Sequence, residues 1–357
     1  MRIPSRMRAV VLAGPDAIEV REVETPAPGP ADVLIRVEAC ALCSTDVALI
    51  RKPLPGQPPY GEFVVGHEYA GTVAALGETV DEFQVGDRVT VEAHLGCQRC
   101  RNCRLGDYTA CLNYGNRRKG HRANGFTTNG GNAEFVVNHV NTVYGIPDSV
   151  SFDEASLATN VGCVLYGYET LGGYLVGDTV AVVGPGPLGL CSAIVARALG
   201  AGKVILVGTR ASRLAVAGSL PIDRIVDSGK EDPLAAIREE TRGRGADVVV
   251  ESSGSEGGLR LAIQGTRRMG KILLLGFSHE PLPADFEALA LDNKAIYTVR
   301  GEGRANVGRA VSLLERGLVD LKPIITHRFP LARIEEAFAT FTQRTGGAIK
   351  VVSRPQE

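Results

Sequence analysis

Four cysteines crowd into CQRCRNCRLGDYTAC: Cys97, Cys100, Cys103 and Cys111. A disulfide between residues only three apart is strained, because bridged Cα atoms need a separation this tight chain does not supply. Four thiolates on a folded-back loop suit tetrahedral Zn²⁺ instead. That ion takes soft sulfur ligands at about 2.3 Å and, in a structural site, needs no water. Arg99, Arg101 and Arg104 between the ligands partly offset the charge of such a centre. A second constellation is dispersed: ACALCSTD (39–46) carries Cys43, and VVGHEYAG (64–71) carries His67 and Glu68. One sulfur, one imidazole and one carboxylate suit a catalytic zinc with an open position. Asp46 is the residue type that holds the other ring nitrogen of a ligand histidine. Singly, each is bland: a lone Cys near a strand end is usually core, and His-Glu pairs are often surface. The Cys40–Cys43 spacing is that of a redox dithiol, but no thioredoxin-like pattern surrounds it.

The third signal is TVAVVGPGPLGLCSAIVARALGAGKVILVG, from Thr179 to Gly208. Its G-x-G-x-x-G, formed by Gly184, Gly186 and Gly189 with Leu188 inside, follows a strand-like run and opens a helix-like one. In that setting glycines let the backbone approach a pyrophosphate, and the helix N-terminus supplies amides and a positive dipole end. Pro187 fits the first helical turn, where its missing N–H costs little. After VILV, where an acid normally binds the adenosine ribose, stand Gly208, Thr209 and Arg210. A carboxylate that would repel a 2′-phosphate is missing, and Arg210 or Arg213 can pair with one through forked donors. NADP(H) is therefore favoured over NAD(H); the plainer reading makes these arginines solvated residues starting a helix.

The elements that must hold these groups fall into two patterns. From about 164 to 300, β-branched runs alternate with helix-compatible stretches, as in GADVVVESSGS, EGGLRLAIQGTRRM and RMGKILLLGFS, and predict a doubly wound parallel sheet. Ser252 to Ser255 and Gly276 to Ser278 then fall at carboxyl ends of strands. Before residue 160, short runs such as MRAVVL, DVLIRVEA, GTVAALG and DRVTVEA alternate with Gly/Pro turns and predict a β-rich domain.

The length, 357 residues, suits two domains. With 39 Lys plus Arg against 40 Asp plus Glu, the net charge of −1 argues against a nucleic-acid or anionic-membrane binder relying on bulk positive charge. No apolar run approaches the roughly 18 residues of a membrane span. The segment Met1 to Met7, with Arg2 and Arg6, is expected to be a disordered tail or to precede the true start, not a signal peptide. The eight cysteines, in a chain expected to stay cytoplasmic, indicate metal sites in a reducing compartment. Cys40 and Cys191 are expected to be packing residues.

Together CSTD, GHEYAG, the four-cysteine lobe, GGNAEFVV (130–137), GPGPLG and GGAIKVV (346–352) resemble the zinc-containing medium-chain dehydrogenases of the alcohol, sorbitol and threonine dehydrogenase family. The resemblance runs from Met7 to the C-terminus. It implies an α/β protein with a GroES-like catalytic domain from residues 1–163 and 301–357, with its zinc lobe at about 94–112. A Rossmann domain over 164–300 is inserted between them. It implies one catalytic and one structural zinc and NAD(P) as cofactor, acting on a small-molecule alcohol or ketone. By resemblance Cys43 and His67 are catalytic zinc ligands. Glu68 is the acid that ligates the metal or stands beside it, Thr45 passes the substrate proton, and Lys350 lies near the cofactor phosphates. The edge run IYTVRG (296–301) implies a homodimer or homotetramer. The activity implied is interconversion of a secondary alcohol or polyol with its ketone. A catalytically silent relative and a zinc-independent quinone or enone reductase are the other readings.

Two departures stand out. The remaining zinc-ligand slot, laid back from Gly184, lands on Asn160, and Cys163 lies three residues on. Either Cys163 substitutes, or Cys43, His67 and Glu68 hold the metal with water; the second needs no local shift. The position where many relatives carry a relay histidine is Ala48. Glu92 to Leu95, Tyr60 and Asn160 are expected near substrate. His94 either touches substrate or lies exposed. The polar insert 116–131 is expected to border the cleft, and His139, His279 and His327 are expected to be structural or exposed.

Overall fold

The structure is a computed structural model describing residues 2–173, 175–278 and 280–357; Met1, Tyr174 and His279 lie outside the described residues. The chain forms two compact units: residues 1–162, 301–315 and 325–357, and residues 163–300 and 316–324. The first division falls inside the helix Ala158–Thr170. Residues 316–324, expected in the catalytic domain, group instead with the nucleotide unit.

In the first unit a hairpin, Arg6–Gly14 with Ala17–Glu24, accompanies a mixed sheet. Its strand order is Ile325–Pro330, Lys350–Arg354, Asp32–Ala41, Glu68–Leu76, Arg88–Val91, Val143–Gly145, and Phe135–His139 also pairs with Asp32–Ala41. Val33, Ile35 and Val37 alternate inward and pack on Val73, Val89 and Val136. Each such side chain contributes about 1.5–3 kcal/mol by leaving water. The N-terminal segment is not a tail: Arg6 opens the first strand, and Ile3 packs against Met7, Ala9 and Val11.

Register decides what this sheet brings together. Ala41, ending its strand, lies opposite Glu68, beginning the antiparallel neighbour. On the other side Ala41 faces Val352, two residues past Lys350. Three strand ends thus meet at one edge, which carries Cys43, His67, Glu68 and Lys350.

The second unit holds a six-stranded all-parallel sheet. Its order is Arg224–Asp227, Lys203–Gly208, Thr179–Val183, Ala246–Glu251, Thr266–Leu274, Ala295–Thr298. All five residues of Thr179–Val183 are buried, as expected of a strand covered on both faces. The order reverses beside this strand, the switch point where doubly wound sheets take ligands at their carboxyl ends. One boundary differs from expectation. The helix Glu256–Gly265 stops before TRRM, which joins the strand Thr266–Leu274. The Thr266 hydroxyl turns back onto the Ala262 carbonyl (2.6 Å) and Met269 takes a positive φ, so helix propensity there yields to sheet pairing.

Candidate functional site

Cys43 is the N-cap of the helix Ser44–Arg51, and Asp46 ties it to the rest of the site. Fully buried Asp46 accepts the Cys43 N–H on Oδ2 (2.9 Å) and faces His67 Nδ1 with Oδ1 (3.0 Å). One carboxylate therefore sets the cap and the imidazole together, leaving Nε2 of His67 toward Glu68 Oε1 at 4.0 Å. The metal-binding atoms of Cys43, His67 and Glu68 lie within 4.8 Å of one another. Burial pulls the His67 imidazolium down, but the Asp46 carboxylate and the Cys43 sulfur outweigh it and hold it well above its usual value. Thr45 Oγ1 stands 3.5 Å from Cys43 Sγ. Gly66 precedes the histidine at φ +102, and a Cβ there would come within 2.8 Å of Cys40 Sγ; glycine alone fits.

Glu68 is 2% exposed and held on both oxygens. Asn160 Nδ2 donates to Oε1 at 2.8 Å, and the Lys350 ammonium pairs with Oε2 while also reaching the Leu42 carbonyl. Lys350 is itself 1% exposed. Strand pairing carries this cation to the Cys43 edge, onto Glu68. Cys163 is not part of the converging set. Phe126 lies between two rings, 4.5 Å from His67 and 5.2 Å from His94 by centroids.

His94 is buried, not exposed, with Nδ1 3.3 Å from Glu302 Oε2. Glu92, also buried, accepts from Tyr144 (3.1 Å); burial and the Glu302 carboxylate push its acid up to about 8. The insert 116–131 divides. Arg117, Arg118 and Lys119 are exposed, whereas Asn124, Phe126, Thr127 and Thr128 are buried, so half of this polar stretch is interior. Tyr60 is exposed, and His139 and His327 are half-buried.

In the lobe the four sulfurs also lie within 4.8 Å of one another, with Cys97–Cys103 at 3.9 Å and Cys100–Cys111 at 4.0 Å. A tetrahedron with zinc–sulfur bonds of about 2.3 Å has edges of about 3.8 Å, so the set fits the ion. Backbone N–H groups of Cys100, Cys103 and Asn113 point at Cys97, Cys100 and Cys111 sulfurs, as thiolates require. Against its desolvation, the Asn113 amide and two backbone donors lower Cys97 to about 6; burial and Cys100 push Cys103 up to about 12.

In the nucleotide unit Gly184 has φ +105, Gly186 caps the helix Pro187–Ala198 with Pro187 at its start, and Leu188 lies in the first turn. A side chain on Gly189 would collide with the Gly184 carbonyl, and Ser252 Oγ lies against the carbonyls of Val183 (2.8 Å) and Gly184 (2.9 Å). Gly208 packs so tightly on Pro185 that it has no room for a Cβ (2.6 Å). Thr209 and Arg210 are exposed after it; Arg213 is buried, its guanidinium 3.9 Å from where a Gly186 Cβ would sit. Thus Arg213 lies against the glycine loop and not in open solvent.

Residues 29–148 match the alcohol dehydrogenase GroES-like domain, and 187–316 match the zinc-binding dehydrogenase family. The chain is 33% identical over 344 residues to an L-threonine 3-dehydrogenase of Symbiobacterium thermophilum, covering 95% of each. The chain belongs to the zinc-containing medium-chain dehydrogenases. It is an oxidoreductase of the NAD(P) type. A zinc-binding dehydrogenase from Sinorhizobium meliloti 1021, solved bound to NADP, superposes with a TM-score of 0.90 at 28% identity, over 99% of this chain and 100% of that one. The alcohol dehydrogenase of Thermus sp. ATN1 does so with a TM-score of 0.85 at 28% identity, over 98% and 99%. No helix among the described residues is long and apolar enough to cross a membrane.

Proposed function

We propose that this dehydrogenase interconverts a secondary alcohol or polyol with its ketone by hydride transfer to NADP, using one zinc held by Cys43, His67 and Glu68 and a second held by Cys97, Cys100, Cys103 and Cys111. The observation that carries the reading is the convergence of the Cys43, His67 and Glu68 donors with the Thr45 hydroxyl beside them. When bound, zinc supplies Lewis acidity that lowers an alcohol's pKa, and the nicotinamide accepts hydride. The chain's own residues do the rest. Asp46 fixes the tautomer and aim of His67, and Thr45, able to donate and accept, takes the proton of the substrate hydroxyl. Ala48, in the relay position, carries no group to take that proton on from Thr45.

The names of relatives support the alcohol class: the 33% identical protein is an L-threonine 3-dehydrogenase, and a Bacillus subtilis neighbour is a 2R,3R-butanediol dehydrogenase. Gly208 in place of an acid, with Arg210 and Arg213 after it, supports NADP over NAD. The edge strand Ala295–Thr298, with exposed Ile296, supports a dimer or tetramer, and free thiols throughout suit the cytoplasm. The test is absorbance at the reduced-nicotinamide band with a panel of secondary alcohols. Turnover is expected, abolished by a chelator and by Cys43→Ser. Protein replete in both metals that binds no dinucleotide overturns the reading. Two zincs per chain support the enzyme, whereas one supports a silent scaffold.

A further inference from the structure

The Asn160 amide is used on one side only. Glu68 takes the Lys350 ammonium on Oε2 and presents Oε1 as an acceptor, so the group facing Oε1 at 2.8 Å is Nδ2. That fixes the amide's orientation and turns Oδ1 away from Glu68. Asn160 is 6% exposed, and Oδ1 has no hydrogen-bond partner among the described residues. A buried acceptor left unpaired costs about 1–3 kcal/mol, so the folded protein keeps it only where something else donates.

The place is informative. Oε1 of Glu68, which Asn160 holds, is the oxygen 4.0 Å from His67 Nε2, so the amide lies one hydrogen bond from the Cys43–His67 cluster. Each carboxylate oxygen has two lone pairs, so Oε1 can accept from Asn160 and still face a metal. An amide oxygen is itself outside the Cys, His and carboxylate set from which zinc draws its ligands. Its natural match is an O–H.

We infer that Asn160 is a substrate-binding residue: Nδ2 fixes Glu68, and Oδ1 accepts a hydrogen bond from a second hydroxyl of a polyol seated beside Cys43 and His67, the reacting hydroxyl giving its proton to Thr45. This rests on the metal reading given above. It makes the site selective for diols and polyols over alcohols with a single hydroxyl. The Lys350 ammonium on Oε2 holds Glu68 in place, so the amide cannot flip without setting two acceptors against each other.

The test uses the full chain with cobalt replacing zinc, titrated with 1,2-propanediol, which has a second hydroxyl, and with 2-propanol, which has one. Binding is read from the visible cobalt bands. Asn160→Leu is expected to weaken the diol about tenfold, the equivalent of about 1.4 kcal/mol, and to leave 2-propanol within about twofold. Asn160→Ala is expected to show the same selective loss and serves where the leucine variant does not fold. Equal weakening of both probes, or unchanged diol binding, overturns the inference while leaving the metal reading intact. Wild-type protein lacking a cobalt–thiolate band that Cys43→Ser removes overturns both.

Discussion

The four-cysteine lobe draws its sulfurs from one short stretch, Cys97 to Cys111, closed by backbone N–H groups of its own turns. The Cys43 site draws on residues 43, 46, 67, 68, 160 and 350, joined only because three strands end at one edge of a sheet. In the lobe Cys97 and Cys111 are buried and Cys100 and Cys103 half-buried, their sulfurs bound mostly to their own neighbours. At the other site Cys43 is likewise half-buried, but its polar partners are buried, with each oxygen of Asp46 and Glu68 assigned a task. A short loop suffices to gather ligands whose role is to hold the chain, whereas a site that must orient a reacting group needs partners from several elements.

Breaking one ligand in each place separates these roles most sharply. Cys43→Ser is expected to reduce hydride transfer by more than the about 10–100-fold typical of losing an outer partner, with the thermal midpoint little moved. Cys100→Ser is expected to show the reverse emphasis: one metal lost per chain and a lower thermal midpoint, by about 2–4 °C for each kcal/mol. Metal analysis with calorimetry checks both, and equal loss of stability in the two variants breaks the distinction.

The next effect concerns Asp46. Asp46→Asn keeps the shape but removes the charge that holds His67, and is expected to lower metal affinity or turnover about 10–100-fold, with lobe metal retained. Competitive chelation, which titrates the two metals separately, measures this. Gly189→Ala is expected to abolish dinucleotide binding by forcing the loop off the Gly184 carbonyl, while both metals stay bound. Equilibrium binding of NADP checks that outcome.

The smallest effect is electrostatic and lies between the two regions, since Glu92 accepts from Tyr108 of the lobe and precedes His94. Its folded-state acid is raised to about 8, so the folded protein retains a proton that the unfolded chain releases in the ordinary carboxylate range. Stability from this group is therefore complete below that range and falls as pH rises toward 8. Glu92→Gln removes the penalty. The variant is expected to gain on the wild type in thermal midpoint between pH 5 and pH 8; a constant difference across that range breaks the assignment.

Sequence legibility followed the same division. The lobe, the glycine loop and the strand Thr179–Val183 were plain because their signals are local. The strand Arg224–Asp227 was missed: four residues with a single fully buried position carry too little apolar pattern. The buried state of Phe126 is equally hidden, because nothing in a polar insert marks which half folds inward, and His94 sits on a strand of two residues, too short to show alternation. Nothing local marks Glu68 as the partner of Lys350, because that pairing is fixed by a register that joins residues more than 300 apart.

By itself the sequence determined the family, the two architectures, the donor types and the absence of an acid after VILV, since these depend on residue chemistry and short-range periodicity. Tertiary structure alone decided that Asp46 serves Cys43 and His67 at once, that Asn160 and Lys350 share Glu68, and that Arg213 lies against the glycine loop. Those facts follow from strand register and burial, which close long loops and fix which buried donor meets which acceptor.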